Sequence, residues 1–127
     1  MAENKKQKTA RNFRNYKVWQ DAVAYATEIY KVTNEMPWFE KKGLCDKLQR
    51  AAVSISSNIA EGAAKPSDLE FAKFLDTALG SAFEVETQLT IANNVSYVNN
   101  ELFNKLLTAL FEIEKQLNGL IHSLRSK

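Results

Sequence analysis

The sequence predicts an all-α protein, an antiparallel up-down-up-down four-helix bundle, on three observations. Apolar residues recur at steps of three and four along most of the 127-residue chain, the spacing that gathers them on one side of a helix. Only four glycines and two prolines punctuate that pattern, so the helices can be long. No stretch of apolar–polar alternation competes, which leaves nothing from which to build a sheet. A chain that is 45% hydrophobic and 25% charged has apolar mass for one soluble domain with its own core.

Residues 1–12 carry no apolar period and are expected to be a disordered basic leader, with residues 13–127 forming the bundle. Phe13 and Tyr16 introduce a first helix over Lys17–Asn34, with Val18, Ala22, Tyr25, Ile29 and Val32 turned inward. Pro37 forbids its continuation. The neighbouring Trp38 and Phe39 read either as a hydrophobic plug over the bundle end or as an exposed contact patch. The second helix spans about Lys42 to Glu61, with Leu44, Leu48, Ala51, Ala52, Ile55 and Ile59 inward and Gly62 as its C-terminal cap. Ser67 then offers an N-cap, Glu70 its capping-box partner, and Asp68 a charge that suits the helix dipole. From there a third helix of about 27 residues, roughly 40 Å, reaches about Asn93. Its stripe is Phe71, Leu75, Ala78, Ala82, Val85, Leu89 and Ala92. Asn93 to Tyr97 forms a turn, and Asn99 or Asn100 caps a fourth helix that ends near Ser123. Phe103, Leu106, Leu110, Ile113, Leu117, Leu120 and Leu124 form its seam. Short loops between amphipathic helices make consecutive helices antiparallel neighbours.

Beside the core stripes run two polar rows. On the second helix Arg50, Ser54, Asn58 and Glu61 follow the helical period, and on the third Thr77, Ser81, Glu84 and Gln88 do the same. If the rows face each other, Arg50 pairs with Glu84 and the amides satisfy their neighbours, a network that fixes register or subunit geometry. Two solvated faces are the plainer alternative. Apolar residues beyond the stripes (Leu102, Leu107, Phe111 and Ile121 on the fourth helix; Trp19, Val23 and Tyr30 on the first) suit either a compact monomer or a surface for a neighbour. Mid-helix Gly80, within the run Gly80-Ser81-Ala82, calls for a close-packed backbone, because glycine costs about 1 kcal/mol against alanine there.

The net charge of +2 hides an asymmetry. Lys5, Lys6, Lys8, Arg11, Arg14 and Lys17 stand against Glu3 alone, so the rest of the chain is net acidic. Such a leader suits contacts with phosphates, or simply solubilises a terminus. Familiar enzyme chemistry finds little here. His122 is the single histidine, Cys45 the single cysteine, and the four glycines are too scattered for a phosphate loop. No Glu-x-x-His repeat occurs, so a di-iron bundle is excluded, and no metal or cofactor is expected. Without a signal peptide or an apolar run of membrane length, the expected compartment is the cytoplasm, with no membrane partner.

Several spaced motifs make the chain resemble the four-helix-bundle proteins encoded by intervening sequences in bacterial 23S rRNA genes. They are Val18-Trp19-x-x-Ala22, Gly43-Leu44, the run from Arg50 to Gly62, Glu70-Phe71-x-x-Phe74-Leu75, Ala78-x-Gly80-Ser81 and Glu84-Val85-Glu86-Thr87-Gln88-Leu89-x-Ile91-Ala92. Ser56 stands where the family often has proline, and Lys65 where it often has arginine. The resemblance implies a homopentameric ring around a central channel, and relatives that serve diversity-generating retroelements by binding reverse transcriptase and nucleic acid. The reading that follows is a non-enzymatic homo-oligomer binding RNA or a ribonucleoprotein through the six basic residues. Arg50, Ser54, Asn58, Glu61, Ser81, Glu84 and Gln88 are assigned to helix or subunit organisation. The rival reading is a scaffold for a protein partner such as a polymerase.

Overall fold

The computed structural model describes residues 11–126 and contains four helices: α1 (Lys17–Asn34), α2 (Leu44–Ala63), α3 (Asp68–Asn94) and α4 (Asn100–Arg125). Two short 3-10 turns, Phe13–Asn15 and Trp38–Glu40, precede α1 and α2, and no strand occurs among the described residues. Consecutive helices pack side by side, α2 on α3 most extensively, and α4 closes back onto α1. Helix caps account for the boundaries. The Ser67 hydroxyl oxygen accepts the Glu70 amide N–H at 3.1 Å, and its O–H donates to Glu70 Oε1 at 3.0 Å. Asn99 Oδ1 accepts the Leu102 amide at 2.8 Å. At the end of α3, Ser96 takes a left-handed φ of 69°, and the Tyr97 amide reaches back to Ala92 O at 2.8 Å.

The expected stripes are the core. Val18, Ala22, Tyr25, Ile29 and Val32 of α1 are buried, as are all seven predicted positions of α3. On α2, Leu48, Ala51, Ala52, Ile55 and Ile59 are buried and Leu44 is half-buried. On α4 the seam runs through Leu106, Leu110, Ile113, Leu117, Ile121 and Leu124, so Ile121 replaces Leu120 as the buried residue of the last turns.

Three expectations need correction. Gly62 does not cap α2, which continues to Ala63; no glycine adopts a positive φ. Gly62 is there for space, since a Cβ would stand 2.6 Å from Phe74 Cβ and 2.9 Å from Phe71 Cδ1. Gly80, by contrast, packs against nothing, with open space where its Cβ would lie. Trp38 and Phe39 do not plug the bundle: they are 85% and 62% exposed. Ser56, lacking proline's restriction, sits within an unbroken α2 with its hydroxyl bonded to Val53 O.

The two glycines predict opposite outcomes. Gly62→Ala forces Phe74 and Phe71 aside and is expected to cost about 1–3 kcal/mol, the range for overpacking. Gly80→Ala meets no atom and gains up to about 1 kcal/mol in helix propensity. Urea unfolding of the two variants measures both; equal shifts of one sign would refute the assignment.

Candidate functional site

The polar rows of α2 and α3 meet at a single point. Ser54 Oγ and Ser81 Oγ share a hydrogen bond of 2.8 Å, and Asn58 Nδ2 donates to Ser54 O at 2.8 Å and Ser54 Oγ at 2.9 Å. Ser81 is buried, so this three-residue link pins the register of the most extensive helix pair. Arg50 does not reach Glu84. It is exposed and its Nε donates to Asp46 Oδ2 at 2.9 Å, one turn back on its own helix. The i, i+4 spacing of Asp46 and Arg50 was legible in sequence and outcompetes a cross-helix partner because it orders less chain. Glu61 and Glu84 are exposed, and Gln88 is half-buried with its Oε1 shielded from solvent and without a hydrogen-bond partner.

Of the six basic residues, Lys5, Lys6 and Lys8 lie outside the described residues. Arg11 is committed to the fold. Its guanidinium donates to Lys65 O at 2.6 Å and, at 3.4 Å, to Ala63 O; it also pairs with Asp68 Oδ1 at 2.5 Å and lies 4.8 Å from the centre of the Phe71 ring. One cation thus meets the last carbonyl of α2, a carbonyl of the turn that follows it and an acid in the first turn of α3, and its side chain is only 11% exposed. Asn12 Oδ1 caps the following 3-10 turn by accepting the Arg14 amide. Both residues therefore belong with the bundle rather than with a disordered leader. Arg14 is exposed, stacked over Phe13 at 4.4 Å, and the exposed Lys17 binds Asp21 Oδ2 at 2.6 Å, which holds the Asp21 carboxyl below its ordinary range. Lys65, where arginine was noted as frequent, rests over the Phe74 ring at 5.1 Å.

Cys45 is buried against Thr33 O, and burial raises its pKa, with Glu40 adding to the effect, so the thiolate is disfavoured. His122 is exposed near the end of α4. Among the described residues no group of three or more His, Cys, Asp or Glu is placed to hold a metal. No helix among them is long and apolar enough to cross a membrane. Sequence reasoning missed a carboxylate pair: burial raises the Glu114 pKa, with Glu86 adding repulsion, and Glu114 Oε2 is shielded without a partner. Nothing in the stripes of α3 and α4 marks these two positions, because only the packing brings them together. Burial, then Glu114 and Glu86, raises the pKa of Tyr25, whose hydroxyl donates to Leu106 O at 3.0 Å.

The family described as 23S rRNA-intervening sequence protein matches residues 14–119. The chain belongs to that family. A crystal structure of a protein of unknown function from the S23 ribosomal protein family, from Bacteroides thetaiotaomicron VPI-5482, is similar at 27% identity. The similarity covers 82% of this chain and 97% of that one, with a TM-score of 0.73. No curated protein matches the chain. The matched range begins beyond Arg11, so the anchoring arginine and the lysines before it lie outside the family's extent.

Two predictions follow from these contacts. Arg11→Ala removes charged hydrogen bonds at a largely buried site and is expected to cost about 2 kcal/mol. Deleting residues 1–10, which leaves those bonds, should leave the melting temperature unchanged in the same thermal scan. Glu114 has the opposite sign from a salt-bridged acid. A folded-state pKa above the ordinary 4.5 means that the native state holds the proton more tightly, so stability falls as pH rises from 4.5 through the raised value. Glu114→Gln should therefore melt higher than the parent at pH 7 and show a flatter profile above pH 4.5. A lower melting temperature at pH 7 would contradict this.

Proposed function

We propose that this protein is a non-enzymatic, cytoplasmic homo-oligomer that binds RNA or a ribonucleoprotein, with Lys5, Lys6, Lys8, Arg14 and Lys17 as phosphate contacts. Membership of the 23S rRNA-intervening sequence protein family supports the RNA connection. The anchoring of Arg11 at the α2–α3 turn is the observation that carries the reading. It removes one cation from the ligand-binding set and ties the lysines before it to a defined point on the bundle. Each subunit of an oligomer adds one such segment, and weak contacts gain avidity. Glu61 and Glu84 support the oligomeric reading, because both are exposed where a neighbour could meet them. A scaffold for a protein partner is the second reading, favoured by Phe83 and Ile91, which line an open surface groove on α3.

Replacing Lys5, Lys6 and Lys8 with alanine should weaken binding to single-stranded RNA. It should also reduce the salt slope of log K by about 2 per engaged subunit, from roughly 0.7 per neutralised phosphate. Fluorescence anisotropy across a salt series measures both quantities. An unchanged slope, or binding indifferent to salt, overturns the phosphate role, and a protein partner retained after nuclease treatment favours the scaffold.

A further inference from the structure

Among the described residues, the turn between α1 and α2 carries the most exposed large apolar side chain, Trp38, and beside it Phe39. The two rings stack edge to face, 6.0 Å between centres. Solvent exposure of this kind usually goes with a loose loop, but this turn is clamped at its base. Glu40, its last residue, accepts the Tyr97 hydroxyl at 2.8 Å on one carboxylate oxygen and the Leu44 amide at 3.4 Å on the other. Tyr97 comes from the α3–α4 loop at the same end of the bundle, 57 positions away in the chain, and directly follows Ser96 with its left-handed backbone. A strained residue and a bond between loops thus hold two aromatic rings in place in water, an arrangement that lowers the ordering cost of docking.

A complementary feature lies between α1 and α4. Ala24, Tyr25, Leu102, Leu106, Ala109 and Ile113 line a groove of about 410 Å³ whose apolar surface is left uncovered. Asp21, Glu28, Glu112 and Lys105 complete its lining. Lys17 already engages Asp21 and also feels the charge of Glu112, and Lys31 stands 4.0 Å from Glu28; among the described residues Glu112 itself makes no ion pair. Next to the aromatic pair, Lys41 and Lys42 are exposed and have no ion-pair partner among the described residues. An aromatic knob flanked by unpaired cations fits an apolar groove with an acidic lining.

We propose that Trp38 and Phe39 of one subunit insert into the α1–α4 groove of a second copy of this chain, with Lys41 and Lys42 facing its Glu28 and Glu112. The proposal rests on the oligomeric reading above and specifies its contact. The chain's own basic leader is a poorer occupant, because residues 1–10 offer only Met1, Ala2 and Ala10 as apolar groups. Knob and groove are different surfaces, so the contact is head-to-tail and closes into a ring when the rotation permits. Two aromatic side chains bury about 300–500 Å² between them, less than the roughly 800 Å² per partner of a standard interface. They serve as its anchor, and the flanks of the two helices supply the remaining area.

The test uses the full chain and two variants, each checked for native helicity by circular dichroism. Trp38→Ser/Phe39→Ser removes the knob and keeps the groove, whereas Ala109→Phe fills the groove and keeps the knob. By native mass spectrometry each variant alone should fall from the oligomer to the single-chain mass. Mixed, they should form a one-to-one dimer, since one intact knob and one intact groove remain. Should Ala109→Phe misfold, Glu28→Lys/Glu112→Lys replaces it, and adding Lys41→Glu/Lys42→Glu to that chain should restore association. A parent oligomer whose mass neither variant changes, or variants that dissociate without pairing when mixed, overturns the knob-in-groove contact alone. A parent that runs as a single chain overturns the contact and the oligomeric reading together.

Discussion

The close approach of α2 to α3 is the constraint on which the remaining packing depends. Both helices are rich in small buried residues, Ala51, Ala52 and Ala63 on α2 and Ala72, Ala78 and Ala82 on α3, and Gly62 of α2 admits no side chain beside Phe71 and Phe74 of α3. Small side chains bring two backbones close enough for the short hydroxyls of Ser54 and Ser81 to touch, and that bond sets the register of the pair. With the register set, the capped start of α3 falls beside the end of α2, where Arg11 can bind a carbonyl of the connecting turn and the acid of α3. The aromatic ring of Phe71 supports that arginine from below while it fills the core. One contact region therefore serves both the core and the attachment of the N-terminal segment.

Packing is less even around the rest of the bundle. The α1–α4 side is the open one, with a groove between helices that touch less extensively than α2 and α3 do. Tyr25 crosses this weaker side and bonds to the backbone of α4, and Gln116 reaches Asp21 at 2.8 Å. Polar links thus supplement apolar contact where the helices stand further apart. Burial between the helices also raises the pKa values of Tyr25 and Glu114, with repulsion from neighbouring carboxylates adding to it.

Much of the fold was legible because it rests on local rules. Stripes at steps of three and four identified most buried positions within the helices but missed Ala26, Cys45, Ala63, Ala72 and Ile121, and the caps at Ser67 and Asn99 follow from side-chain chemistry within one helical turn. Glycines were the exception. Sequence assigned Gly62 a capping role and Gly80 a packing role, and the structure reverses the emphasis, since whether a glycine supplies conformational freedom or space depends on the atoms opposite it. Arg50 shows the same limit: its period placed it correctly beside Ser54, but the choice between Asp46 and Glu84 is one of distance.

From sequence alone came the helix count, most of the inward faces and the charge of the N-terminal segment, because periodicity, capping and composition act between near neighbours. Tertiary structure decided what links residues far apart in the chain. It placed Arg11 on the α2–α3 turn, clamped Glu40 with Tyr97, left Trp38 and Phe39 in solvent, and opened the groove between α1 and α4. Those outcomes depend on distances between helices that no local pattern encodes, since they are set by the volumes of all the side chains packed between them.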